Sequence, residues 1–194
     1  MRRSRCALWM VAVLTALLVP AQASWAQQGR FKGTLRFETL ADGVNLKLIG
    51  PFSYIDAKGR TWDVPAGAVT DGASIPRVFW VSHPPFTGKY RQAAVIHDHY
   101  CHVKTRSWEE THNVFYEAML TAGEDPRTAK VMWAAVYHFG PRWGQKATRR
   151  GIAPAAVPVE DQQQFMRDIE AWVDRANPSR EEMAKAIDTG RIPR

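Results

Sequence analysis

The sequence predicts an α+β fold: a small antiparallel β-sheet of two hairpins, followed by a mostly helical half that contains an antiparallel helix pair. Three observations carry this. Between Phe31 and Val69 apolar residues recur at period two. Beyond Gly88 they recur at helical spacing, in segments bounded by capping residues. With 194 residues and 45% apolar content, the chain has enough nonpolar surface for one compact core.

A leader precedes the sheet. Arg2, Arg3 and Arg5 stand before an apolar run from Ala7 to Val19, and small residues follow at Ala21-Gln22-Ala23 and Ser24-Trp25-Ala26. This is the pattern of a cleaved secretory signal peptide over residues 1–26. The run is too short and too early for a good membrane span, and Cys6 precedes it, so it is not a lipobox cysteine. The expectation is a periplasmic or secreted protein with no transmembrane segment in the mature chain. That chain divides into an α+β domain over 27–143, a basic linker over 144–158 and a C-terminal helical extension over 159–194. Losing the three arginines lowers the net charge from +7 to about +4. No basic stripe with interleaved aromatics remains, which argues against nucleic-acid binding. Arg142, Lys146, Arg149 and Arg150 form one local basic cluster, read either as a solvated loop or as a contact for anionic lipid or polysaccharide. The mature chain keeps a single cysteine, Cys101, so it has no intramolecular disulfide.

In the first hairpin Leu35 and Phe37 face Leu46 and Leu48 across a turn at Ala41-Asp42-Gly43. The second runs from Phe52 to Ile55, turns at Asp56-Ala57-Lys58-Gly59, and returns from Arg60 to Val64. Pro65 and Gly67 break the pattern. The stretch from Val69 to Trp80 has no sustained period. Asp71-Gly72 signals a turn, and Ser74 with Pro76 can open a short helix. Asp71 and Ser74 are thus either turn and cap residues or members of a site on the loop between sheet and helices.

The central helix is Tyr90 to His102. Placed at 100° per residue, Ala93, Ala94, Tyr100 and Cys101 fall within about 60° of His97, which puts an imidazole in the middle of the apolar stripe. An unpartnered polar group there would be costly. Asp98 and His102 lie at the stripe's edge, and His99 points to solvent. Cys101, one turn from His97, is either a nucleophile or a small buried thiol. A second helix follows, capped by Ser107 with Glu110 completing a capping box. Its apolar stripe holds Trp108, His112, Phe115 and Met119. The connection between the helices is short, so they pack antiparallel. His97 and His112 stand at matching distances from its midpoint, so the two imidazoles can face each other. A third helix starts at Asp125-Pro126 and stops at Gly140-Pro141. A fourth runs from about Val159 to Arg175, and a fifth from Ser179, boxed by Glu182, to Gly190.

The segments Thr70-Asp71-Gly72-Ala73-Ser74-Ile75-Pro76-Arg77, Ala93-Ala94-Val95-Ile96-His97-Asp98 and Phe115-Tyr116-Glu117-Ala118-Met119, with Ala134-Ala135-Val136-Tyr137-His138-Phe139-Gly140, together resemble the domain-of-unknown-function family 1353 of phages and bacteria. The resemblance covers roughly residues 34–143. It implies that the Thr-Asp-Gly loop and the His-Asp helix form one unit, with Asp71, Ser74, His97 and Asp98 at the matching positions, and that the last two helices are an addition. It also implies an acid in other members where this chain has His112. The helix of His97-Asp98 followed by Tyr100-Cys101 is similar as well to the His-Asp-x-Cys-Tyr helix of secreted phospholipases A2. There the histidine activates water and the aspartate helps hold calcium. Here the order of Cys and Tyr is reversed and no Gly-rich calcium loop precedes the helix.

Two functions are consistent with these residues. The first is a hydrolase of the cell envelope, with His97, Asp98, Asp71 and Ser74 as the catalytic set. It works with or without a divalent metal such as zinc, held by His97, Asp98 and His112. The ligand spacing matches no established zinc signature. Its partner would be an envelope component: peptidoglycan, lipid or protein. The second is a non-catalytic binding or structural module in which the same side chains form a buried polar network. A network needs closure from solvent, whereas a site needs a cleft with an accessible polar atom.

Overall fold

The structure, a computed structural model, describes residues 29–42, 45–70, 88–144 and 157–193. Six short strands precede five helices among these residues. The strands are β1 (Arg30–Lys32), β2 (Phe37–Thr39), β3 (Leu46–Leu48), β4 (Phe52–Ile55), β5 (Thr61–Val64) and β6 (Val69–Thr70). The helices are α1 (Arg91–Val103), α2 (Trp108–Thr121), α3 (Pro126–Phe139), α4 (Val159–Ala176) and α5 (Arg180–Thr189). The architecture is α+β. Both expected hairpins form, β2 with β3 and β4 with β5, but they do not share one sheet. Each belongs to a separate antiparallel sheet of three strands, ordered β1-β4-β5 and β2-β3-β6. Only Ile49, Gly50 and Pro51 separate β3 from β4, and Pro51 has no amide to donate, so the ladder does not continue across this link. The strands that complete the two sheets, β1 and β6, are three and two residues long. That is too short for an alternating pattern to register.

The β4–β5 hairpin is fastened by its turn. Asp56 is 1% exposed. It accepts hydrogen bonds from Trp62 Nε1 at 3.0 Å, Arg60 Nε at 2.8 Å and the backbone amides of Lys58 and Arg60 at 3.0 and 2.8 Å. Burial alone would raise its pKa, but the Trp62 and Arg60 bonds outweigh it and hold the carboxyl below its ordinary value. A depressed carboxylate pKa gives stability that is present above the unfolded value and lost as pH falls through the folded one. The Asp56 contribution to the denaturation midpoint should therefore be flat near neutrality and be lost below about pH 4, the ordinary aspartate range. Asp56→Asn should shrink that acid-side fall, as denaturant titrations across pH would show.

The same hairpin docks onto α2. Arg60 Nη1 donates to Glu110 Oε1 at 2.5 Å, the Ala57 amide donates to Glu117 Oε1 at 2.5 Å, and the Tyr54 hydroxyl pairs with Thr121 Oγ1 at 2.9 Å. The helix termini follow the sequence. Ser107 and Ser179 both make capping boxes, with Glu110 and Glu182, and Asp125 Oδ2 accepts from the Thr128 amide at 3.0 Å.

Helix α1 is the central element. Six consecutive residues, Ala93 to Asp98, are buried, because α2 covers one side and β5 and β6 the other. Helices α4 and α5 both pack on α3. Their Phe165, Ile169, Trp172, Met183 and Ile187 enter the same apolar cluster as Trp62, Phe115 and Trp133. The C-terminal extension thus completes the core of the preceding domain. Arg127 pairs with Asp174 across α3 and α4, and Tyr137 donates to Asp188 Oδ2 at 3.0 Å across α3 and α5.

Candidate functional site

The antiparallel pairing of α1 and α2 brings the two stripe histidines together. His97 Nε2 lies 2.9 Å from His112 Nδ1, and both side chains are 0% exposed. Cys101, one turn along α1, places Sγ 3.5 Å from His97 Nε2 and 3.9 Å from Nδ1. On the other edge of the ring, Asp98 Oδ1 is 3.8 Å from His97 Nδ1. Asp98 Oδ2 accepts a 2.5 Å hydrogen bond from the Thr70 hydroxyl, which ties β6 to α1. Phe115 packs against the His97 ring at 4.9 Å and Trp108 against the His112 ring at 5.6 Å.

The segment after α3 closes the far side of His112. Gly140 leaves α3 with φ −68° and ψ 164°. A Cβ there would stand 3.0 Å from His112 Nε2 and 2.2 Å from the Val136 carbonyl oxygen. Trp143 donates from Nε1 to the Arg106 carbonyl at 2.7 Å, which draws the segment back over the α1–α2 connection. Arg142 is buried. Its guanidinium sits 4.3 Å over Trp108 and donates to the Tyr137 carbonyl at 2.8 Å. It therefore belongs to the core and not to a solvated basic cluster. Lys146, Arg149 and Arg150 lie outside the described residues.

The electrostatics split the two imidazoles. Burial presses His97 toward its neutral form, but the Cys101 sulfur and the Asp98 carboxylate outweigh that and raise its pKa from 6.5 to about 10. His112 is held well below 6.5 by its burial first, then by the charges of His97 and Arg142. The Pro141 backbone works in the opposite direction. Even so, His112 Nε2 has no partner within hydrogen-bond geometry among the described residues.

A cleft of about 420 Å³ opens on this cluster, lined by Asn45, Val69, Thr70, Asp98, Cys101, His102 and Pro141. Asp98 and Cys101, each 8% exposed, touch both His97 and the cleft. A second recess of about 470 Å³, which shares Val69 and His102 with the first, is lined in addition by His99. His99 is half-buried and packs edge-on against Tyr100, so it does not project freely into solvent. Of the expected site residues, His97, Asp98 and His112 come together, whereas Asp71 and Ser74 lie outside the described residues. The residue that spacing undervalued is Cys101. Its position one turn from His97 was visible, but its approach to the His97–His112 contact depends on how α2 packs.

Fold and site define a small α+β domain with a histidine cluster beneath a cleft. Residues 46–136 match the model of the family described as "Protein of unknown function (DUF1353)". The chain is also similar to two uncharacterized proteins of Sinorhizobium fredii (strain NBRC 101917 / NGR234). It is 42% identical to y4iH over 120 residues, 59% of this chain and 48% of that protein. It is 44% identical to y4jT over 98 residues, 50% of this chain and 29% of that protein. The match thus spans less than half the length of either relative. No solved structure matches.

Proposed function

We propose that this is an exported hydrolase of the cell envelope in which His97 moves the proton and Asp98 orients it. The observation that carries this reading is that Asp98 and Cys101 border His97 on one side and a cleft of about 420 Å³ on the other. A group in the cleft can therefore reach the polar cluster without entering the apolar core. Asp98 faces the Nδ1 edge of His97 at 3.8 Å, and a carboxylate so placed supports the charged ring during proton transfer. Export rests on the leader pattern of residues 1–26, and peptidoglycan, lipid and peptide all suit that compartment. Full burial of both imidazoles favours the second reading, a closed polar network in a binding module. Against it stands His112 Nε2, which a network serving only structure would be expected to satisfy.

The test is hydrolysis by the chain lacking residues 1–26, against isolated peptidoglycan, phospholipid vesicles and chromogenic esters. Asp98→Asn should lower the rate on the responsive substrate by about 100-fold or more while leaving the circular dichroism spectrum unchanged. Hydrolysis by this variant at the wild-type rate would remove His97 and Asp98 from the reaction. No turnover of any substrate by the wild type would favour the binding module.

A further inference from the structure

We infer that His97, Cys101 and His112 form a binding site for a thiophilic divalent cation, zinc by preference, with Asp98 as a positioning residue. This deepens the hydrolase reading, with His97 as a ligand in place of a proton carrier, and rests on that reading for what a bound water would do.

The first argument is proton accounting. Two neutral imidazoles carry one N–H each, and the 2.9 Å contact between His97 Nε2 and His112 Nδ1 needs one of them. If His97 donates, its Nδ1 is a lone pair facing the Asp98 carboxylate at 3.8 Å, met only by the weak Cys101 thiol donor at 3.9 Å. If His112 donates, His97 Nδ1–H faces Asp98 correctly, but His112 Nε2 becomes a buried lone pair beside the Pro141 backbone, whose only polar atom is a carbonyl oxygen. Each neutral arrangement leaves one acceptor against another. A proton on His97 removes both conflicts, and so does a metal ion bound between the rings. The two facing nitrogens then both offer lone pairs, His97 Nδ1–H points at Asp98, and His112 Nε2–H points toward the Pro141 carbonyl.

Geometry and donor chemistry agree. The ligand atoms of the three residues all lie within 4.8 Å of one another. Zinc bound tetrahedrally at its usual distances places sulfur and nitrogen about 3.6 Å apart and two nitrogens about 3.3 Å apart. Cys101 Sγ to His97 Nε2 is 3.5 Å, so that edge already fits. The His–His edge at 2.9 Å has only to open by about 0.4 Å. One thiolate with two imidazoles selects zinc or cobalt over magnesium and calcium, which prefer oxygen. Three protein ligands leave a fourth position, and Cys101 borders the cleft from which water or substrate would fill it. Asp98 at the outer nitrogen of His97 is the usual carboxylate partner of a ligating histidine. The sequence assigned Asp98 as a direct ligand; in the inferred site Cys101 takes that place.

The experiment titrates tag-free mature protein, stripped with a chelator and under reducing conditions, with Co²⁺ and then Zn²⁺. One equivalent of Co²⁺ should produce the strong visible bands of a tetrahedral site and a thiolate-to-cobalt charge-transfer band, and Zn²⁺ should displace it. Cys101→Ser should abolish the charge-transfer band, and His112→Ala should abolish tight binding. Asp98→Asn should keep the stoichiometry and weaken affinity about 10- to 100-fold. Wild-type protein of unchanged circular dichroism that takes up neither ion would overturn the inference, and the missing cation would then be a proton. A charge-transfer band that survives Cys101→Ser would overturn it too. Failure to bind either ion together with hydrolysis by the metal-free protein would defeat the cation site and spare the hydrolase. Stoichiometric metal without hydrolysis of any substrate would do the reverse.

Discussion

Trp62→Ala should lower the unfolding free energy by about 4 kcal/mol, the largest loss expected from any one truncation in the sheets. Trp62 is 0% exposed and joins three parts of the molecule. Its indole N–H donates to Asp56, its ring meets Tyr100 of α1 edge-on at 4.8 Å, and the Arg106 guanidinium lies 4.3 Å over it. Truncation would leave a cavity between β5 and α1 and remove one of the bonds that keep a buried carboxylate satisfied. Trp62→Phe should recover the packing but not the bond, and so fall between the two. Denaturant midpoints of the three proteins check this, and equal stability of Phe and wild type would show that the Asp56 bond adds nothing.

Gly140→Ala should cost about 3 kcal/mol and disturb the histidine cluster. The backbone angles at Gly140 suit any residue, so the constraint is space. The new methyl would overlap the Val136 carbonyl oxygen, which accepts the Gly140 amide at 2.8 Å, and would press on the His112 ring. Relief requires the last turn of α3 to open or His112 to retreat from His97. The denaturation midpoint reports the first and the His112 ring proton resonances the second. An unchanged midpoint with unshifted resonances would mean that the segment after α3 is not pressed against the site.

Much of this was legible in the sequence because it is local. Ser107 with Glu110, Ser179 with Glu182, and Asp125-Pro126 through Gly140 mark helix ends by interactions within a few residues, and each appears where the residues place it. The meeting of His97 with His112 was legible too, since a short connection fixes the register of two helices. What escaped depends on distant chain. Strands β1 and β6 are defined by pairing to β4 and β3, not by their own pattern. Arg142 reads as one of four basic residues until Trp108 and Tyr137 are seen to enclose it. Gly140 reads as a helix stop, yet its lack of a side chain matters because His112 lies opposite. Cys101 needs α2 in place before it becomes a third donor.

The burial of α1 on both sides bears on how the cluster can come apart. Protein regions open locally when their backbone bonds are near solvent and their apolar contacts are few. His97 and Asp98 close a run of six buried residues whose neighbours are sheet on one side and helix on the other. Amide exchange along that run therefore has to wait for the molecule to unfold as a whole. The histidine cluster shares the lifetime of the native state, and a ligand held there would leave through the cleft or not at all.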